Sequence, residues 1–338
     1  MMKSAKEECE MSQNIKKAAV KVFQMKESGV IIPTVLFMVI IAIVNPAFIS
    51  MANIFNVLRS TGFTLITALG MTFVLIAGGL DLSVGSVLAL GGCVSGMVMV
   101  NLGAPIWVAI LLGCGVGFLI GFLNGIIIVK CRIPALIMTL GMMYMARGIV
   151  YIVTEGVPIY PLPVQFQAIE QQDVFGIPKV ILICIVLGAA AHIFLKKTTV
   201  GRSIYAVGGN KEAARLSGIN LDRTNIICYC ITSTLAALSG IMMSSRLGSA
   251  QPNGGTGYEM TVIAAVIIGG TSTNGGIGTI LGTAIGALFM NVLSNAMTIL
   301  KVSVYWQNFV VGFILVLAVM LDQYKRDAMQ RAGMKKTD

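Results

Sequence analysis

Charge is what this sequence has least of. Only 11% of its 338 residues are Asp, Glu, Lys or Arg, against about 25% in a soluble domain. That excludes a chain made mostly of soluble domain. Histidine occurs once, at His192, and no two His, Cys or carboxylate residues show ligand spacing, so no metal site is expected. The seven cysteines are scattered, mostly in apolar runs, and none has CxxC spacing. They read as buried free thiols without a disulfide framework. A GxxxxGK[ST] phosphate loop is missing, so the chain cannot hydrolyse ATP by that route. No span carries paired carboxylates or a nucleophile with a base, so a membrane-embedded enzyme is not expected. The first apolar run begins near Val30, after a long polar head, and has no small-residue cleavage site. No secretory signal peptide is expected.

What is abundant is apolar. The chain is 56% hydrophobic, with 38 glycines and 21 methionines, a composition suited to close helix packing and to filling irregular gaps. The reading is an all-α polytopic membrane protein. Judged against the roughly 20 apolar residues needed to cross a bilayer, about ten spans fall at 29–48, 61–77, 84–101, 105–128, 134–153, 178–195, 226–246, 259–270, 279–300 and 306–322. The second, third and eighth are short or end at Gly-rich breaks. The domain plan is a cytoplasmic head at 1–28, with a short amphipathic helix over Ile15–Met25. A membrane domain at 29–322 follows, then a cytoplasmic tail at 323–338.

The net charge of +10 matters through its distribution. With the head inside, 19 of the 24 Lys and Arg lie in cytoplasmic segments. The outer side receives Arg59, Lys179, Arg246 and Lys301, and Arg147 lies within the fifth span. The positive-inside rule then places both termini in the cytoplasm. Residues 154–177 form the longest external loop, where Pro158, Pro161 and Pro163 suggest extended chain rather than helix. Residues 196–225 form the longest internal loop.

Two breaks stand out. The second span ends at Gly78-Gly79-Leu80-Asp81-Leu82-Ser83-Val84-Gly85, and Gly269-Gly270-Thr271-Ser272-Thr273-Asn274-Gly275 follows the eighth. Short apolar helices meeting at polar, Gly-rich breaks are how transporters build a pathway. Gly78, Gly79, Asp81, Ser83, Gly85, Gly269, Gly270, Thr271, Asn274 and Gly275 are therefore candidate pathway or broken-helix residues. If spans 2–5 correspond to spans 7–10, the odd offset gives an inverted internal repeat, with these two breaks as matching positions. Asp81 either lines the pathway or caps the third helix, where a negative charge is favourable. Arg147 is read as a structural pair or a snorkelling side chain. Gln251, Asn253, Tyr258 and Glu259 form an outer polar cluster of donors and acceptors that suits a polar ligand, a docking protein, or simply a solvated turn.

In the internal loop, Asn210 is a good N-cap, Glu212 suits a first turn, and Gly218 sits where a glycine ends a helix. The spacing predicts a two-turn helix over Lys211–Ser217. A helix so short is marginal alone, so either the loop or a partner groove must hold it.

Glu212-Ala213-Ala214-Arg215-Leu216-Ser217-Gly218 resembles the EAA-x-x-x-G coupling loop of ABC importer permeases. Gly78–Ser86, Arg246–Pro252, Gly257-Tyr258-Glu259 and Ile268–Ser272 are similar to the permease of ribose-type monosaccharide ABC importers. Thr273–Ile277 departs from that pattern and leaves the sugar open between ribose and a similar pentose or hexose. The resemblance implies a multi-pass permease of the bacterial plasma (inner) membrane, acting as a homodimer by alternating access. It implies a cytoplasmic sugar-import ATPase below, which would bind ATP and Mg, and an extracytoplasmic sugar-binding protein above. No cofactor of the chain itself and no nucleic-acid partner are implied. Asn210, Lys211, Glu212, Ala213, Ala214, Arg215, Leu216 and Gly218 would then couple to the ATPase. The alternative is an ion-coupled secondary transporter of a small polar solute. It wants protonatable acids deep in several spans, and only Asp81 and Glu259 come near, both at helix ends.

Overall fold

Backbone polar groups in lipid must be satisfied internally, so a chain this apolar folds into helices. The computed structural model describes residues 28–334 except Phe175. The head, with the amphipathic helix expected over Ile15–Met25, lies outside the described residues. Among the described residues, thirteen α-helices run in order: α1 Ser28–Val44, α2 Met51–Ile76, α3 Val84–Val100, α4 Ile106–Lys130, α5 Ala135–Thr154, α6 Val164–Gln171, α7 Lys179–Lys197, α8 Thr199–Gly209, α9 Lys211–Leu216, α10 Leu221–Leu247, α11 Tyr258–Ile268, α12 Ile280–Ile299 and α13 Val304–Met334. The β-structure is a two-residue ribbon, β1 Asp173–Val174 against β2 Ile177–Pro178.

Among the described residues, seven helices are long and apolar enough to cross a membrane: α2, α4, α5, α7, α10, α12 and the Val304–Tyr324 part of α13. Three shorter apolar helices occupy other stretches read as spans: Val30–Val44 within α1, α3 and α11. The chain is a polytopic all-α membrane protein. Helix length matters most at α11. Its 11 residues rise about 16 Å, roughly half of a hydrocarbon core about 30 Å thick.

The centre of the bundle is the pair α2 and α10. Their apolar windows are 83% and 61% buried, whereas that of α13 is 0% buried. Close approach is built from small residues. A methyl on Gly70 of α2 would lie 2.6 Å from Thr232 Cα of α10, and the Thr232 hydroxyl donates to the Gly70 carbonyl at 2.8 Å. On α4, Gly113, Gly117, Gly121 and Gly125 recur every four residues, and the last three of them lie against the α10 backbone.

The structure corrects three expectations about these elements. The external loop is not all extended, because α6 occupies Val164–Gln171 with Pro163 at its N-cap. Proline beside the first turn costs no intrahelical bond, so the last of the three prolines introduces a helix instead of excluding one. The internal loop holds a second helix, α8, ahead of the expected one. Thr198 caps it by accepting from the Gly201 N–H at 3.0 Å, while Gly201, Gly208 and Gly209 lower its propensity and hide it from a sequence reading. The second span also begins earlier than expected, at Met51. Its polar outer turns find partners: Asn53 pairs with Asn295, and Arg59 with Asp173.

Candidate functional site

The helix predicted in the internal loop forms as α9. The Ala213 N–H donates to Asn210 Oδ1 at 3.0 Å. Gly218, at φ 78°, donates to the Arg215 carbonyl and ends the helix, which stops at Leu216, one residue earlier than expected. Ala214 alone is buried. Asn210, Lys211, Glu212, Ala213, Arg215 and Gly218 are exposed, and Leu216 is 84% exposed. The Glu212–Arg215 pair at 3.9 Å is solvated and contributes little. The helix therefore presents nearly its whole surface, with one large apolar side chain at its tip.

The first break ends α2 at Ala77. Gly78 donates to Leu75 and Gly79 to Val74, both at 2.9 Å. Asp81 is fully buried. Its Oδ1 accepts from the Ser83 N–H at 2.9 Å and the Ser83 hydroxyl at 2.6 Å. Asn124 of α4 donates to the Ser83 hydroxyl at 3.1 Å. Asp81 thus secures the backbone from which α3 starts, and its side chain has no exposed surface.

The second break ends α11 at Gly269 and Gly270. Asp322 of α13 ties it down, its Oδ2 accepting from the Ser272 hydroxyl and from the Thr273 N–H and hydroxyl at 3.1–3.2 Å. Thr271 is buried, and the Asn274 N–H donates to Ser272 Oγ at 3.4 Å. The two breaks meet: the Gly276 N–H donates to the Ile76 carbonyl at 2.8 Å. A methyl on Gly275 would lie 3.0 Å from Gly78 Cα. They meet as neighbours, not as counterparts. In the order of apolar helices the first break separates the second and third, α2 and α3. A five-helix offset maps it onto the connection between the seventh and eighth, α10 and α11. By helix order, the segment five apolar helices on from the first break is Gly248–Gly257 rather than Gly269–Gly275.

That segment is the least expected part of the site. Since α11 covers about half the core, the chain before it must enter the membrane, where its polar groups need partners. Arg147 of α5 supplies them, donating from Nη1 to the Pro252 carbonyl at 2.8 Å and the Gly254 carbonyl at 2.7 Å. Ala250 pairs with Ile159, and the Leu162 N–H reaches Gly248 O at 3.1 Å. Arg147 therefore neither pairs with an acid nor snorkels. It clamps backbone, a role with no signature in sequence because any residue offers a carbonyl.

The four residues read as one outer cluster are parted by the same descent. Tyr258 turns inward and donates to Thr64 Oγ1 of α2 at 3.0 Å, and Gln251 donates to Ser249 at 2.9 Å. Asn253 stays exposed. Glu259 lies beside Gly85, where an added methyl would sit 2.5 Å from its Oε2 and would overlap the Gly255 carbonyl oxygen. The N-terminal ends of α3 and α11 thus converge at Gly85 and Gly255, each accompanied by one acid, Asp81 or Glu259. Acids are favourable at helix N-termini.

Above this lies a charged layer that sequence reading left unassembled. Arg59 pairs with Asp173, Arg246 donates to Asn56 at 3.0 Å, and Lys179 donates to the Ala168 carbonyl at 2.7 Å. Glu170 of α6 is fully buried among them, and neither carboxylate oxygen accepts a hydrogen bond from the described residues. Burial pushes its carboxyl up to about 7, against the opposing pull of Arg59, Arg246 and Lys179. Among the described residues, no group of three or more His, Cys, Asp or Glu could hold a metal.

The family described as branched-chain amino acid transport system / permease component matches residues 53–319. The chain belongs to that family. Among curated proteins, this permease is 41% identical over 297 residues to the ribose import permease protein RbsC of Haemophilus influenzae, covering 87% of this chain and 92% of the relative. It is 41% identical over 311 residues to RbsC of Escherichia coli K12, covering 89% and 95%. It is 37% identical over 300 residues to the L-arabinose transport system permease protein AraH of the same strain, covering 89% and 91%. No solved structure matches it. The permease is a multi-pass inner-membrane transport subunit and not an enzyme.

Proposed function

We propose that this permease is the membrane subunit of an ATP-driven ABC importer, translocating ribose or a similar pentose or hexose by alternating access. The carrying observation is α9. The stretch that resembles an ABC coupling loop is a capped helix whose side chains, Ala214 apart, stand in solvent, with Leu216 84% exposed. An exposed apolar tip on a charged helix is the form of an anchor for a groove. A cytoplasmic sugar-import ATPase supplies that groove and binds ATP and Mg. An extracytoplasmic sugar-binding protein delivers substrate, and a second copy of this permease completes the unit.

The membrane domain covers 29–322, with the coupling loop at 196–225, the external loop at 154–177, and both termini cytoplasmic. The clustering of Arg59, Lys179 and Arg246 at one end supports that orientation, since all three were assigned outside by the positive-inside rule. Ten crossings in two inverted halves are supported by the convergence of α3 and α11 at Gly85 and Gly255. The pathway residues among Gly78–Gly85 and Gly269–Gly275 move when the halves rock.

The test is a crosslink. Cysteines are placed singly from Lys211 to Ser217, starting with Ala213→Cys and Arg215→Cys, in a cysteine-free background with a co-expressed sugar-import ATPase. Capture that depends on nucleotide state is expected. Absence of capture at every position, in a complex shown to be folded, overturns the reading.

A further inference from the structure

The internal connection between α7 and α10 carries more than the exposed α9. Its first helix, α8, is locked into the membrane domain at both ends. At its start, Gly201 lies so close to α7 that a methyl there would overlap the Phe194 and Leu195 carbonyl oxygens. At its end, Gly208 lies on the hydrogen bond that joins the two breaks. A methyl on Gly208 would overlap the Ile76 carbonyl oxygen and sit 2.5 Å from the Gly276 nitrogen, the acceptor and donor of that bond. From the other side, a methyl on Gly275 would lie 2.9 Å from Gly208 Cα and 3.0 Å from Gly78 Cα. One turn earlier on α8, the Tyr205 hydroxyl donates to the Gly278 carbonyl at 2.7 Å. Two residues after Gly208 comes Asn210, the cap of α9.

We infer that Gly208 and Tyr205 are positioning residues that transmit movement of α9 to both halves of the permease at once. The physical reason is stiffness. A flexible loop would absorb a displacement of α9 in its own torsions. Here the chain between Gly208 and the α9 cap is a single residue, Gly209, and Gly208 touches backbone rather than side chain. Backbone contact without an intervening side chain has no rotamer to yield. Displacement of Gly208 bears on Ile76, the last residue of α2, and on Gly275 and Gly276, which lead through Gly278 into α12. Asp322 ties the same turn to α13. A push on α9 thus arrives simultaneously at the inner ends of α2, α12 and α13. The N–H···O bond between Gly276 and Ile76 must move as a unit or break.

This inference rests on the coupling role proposed for α9, and the experiment separates the two. The complex of this permease with its ATPase is reconstituted in liposomes with the binding protein, and D-ribose uptake and ATP hydrolysis are measured together. Gly208→Ala is the severe variant, because its methyl overlaps backbone; in the fraction that assembles and keeps α9 crosslinking to the ATPase, sugar moved per ATP is expected to fall at least tenfold. Tyr205→Phe keeps the ring and removes one hydrogen bond, and a two- to fivefold fall in the same ratio is expected. Gly188→Ala, on α7 where an added methyl meets nothing within 4 Å, should keep the wild-type ratio. A merely structural role would lower uptake and hydrolysis together and leave the ratio unchanged. That result in a folded Tyr205→Phe complex overturns the inference, as does wild-type behaviour of Gly208→Ala. Should Gly208→Ala not fold, Tyr205→Phe decides. Failure of the coupling reading shows instead in the unmutated complex, as lack of α9 capture.

Discussion

α2 lies against α12 as α10 lies against α4, and α3 packs on α5 as α11 packs on α13. The same five-helix offset relates every pair, yet the two connections that begin α3 and α11 are secured by opposite means. In the first half the chain turns within six residues of Ala77, and a buried carboxylate, Asp81, accepts from its own loop. In the second half the connection runs from Gly248 to Gly257 and exposes carbonyls that its own loop does not satisfy. A cation from the first half, Arg147, donates to them. The short loop supplies its own central acceptor and takes further bonds at its rim from Tyr229 and Ser233 of α10, while the long one relies on Arg147 of α5 for its central donor. Helix pairs can thus keep matching contacts while the connections between them are held by different chemistry.

The largest effect is expected where the two halves touch. Gly85→Ala drives a methyl onto the Gly255 carbonyl and the Glu259 carboxylate, and overpacking against backbone should cost about 3 kcal/mol or more. Loss of folded permease in fluorescence size-exclusion, with uptake down more than tenfold, is the expected result. Next comes the difference between the clamps. Arg147→Gln should cost about 3 kcal/mol, since bonds from a charged donor to two buried carbonyls are lost or weakened. Asp81→Ala should cost about 2 kcal/mol, and Asp81→Asn much less, because an amide oxygen still accepts from Ser83. Thermal unfolding in detergent orders these variants, and equal losses for Arg147→Gln and Asp81→Asn would break the comparison.

The smallest effect lies in the outer layer. The Glu170 carboxyl titrates near 7 in the fold against an ordinary value of 4.5. A raised value means the folded state holds the proton more tightly. The associated stability is therefore full below pH 4.5 and is lost as pH rises through 7. Glu170→Gln should match the wild type at pH 4 and gain on it progressively as pH rises through 7, read as a rise in melting temperature at the higher pH alone.

Much of this was legible beforehand. Runs near twenty apolar residues mark the spans because length is fixed by the bilayer. α9 was legible because Asn210 and Gly218 bracket it with specific chemistry. What escaped was carried by backbone. α8 hid behind Gly201, Gly208 and Gly209, whose helix cost is offset by contacts only the folded chain has. The descent of Gly248–Gly257 hid behind Gln251, Asn253 and Thr256, which look aqueous until Arg147 is seen to serve their neighbours. The pairing of the two Gly-rich breaks followed composition, whereas the structure pairs segments by their place in the helix order.

The shortness of α11 bears on how the chain is made. A helix of 11 residues that includes Glu259 and Thr261 is too short to partition into a bilayer as an independent crossing, and the loop ahead of it is polar. The segment can settle only once α5 is in place to offer Arg147 and α12 has emerged to lie beside it. Synthesis therefore leaves a stretch between α10 and α12 that waits outside the hydrocarbon until later residues arrive. A nascent chain stopped just after Ile268 should leave Gly248–Gly257 open to protease, and one extended beyond Ile299 should protect it.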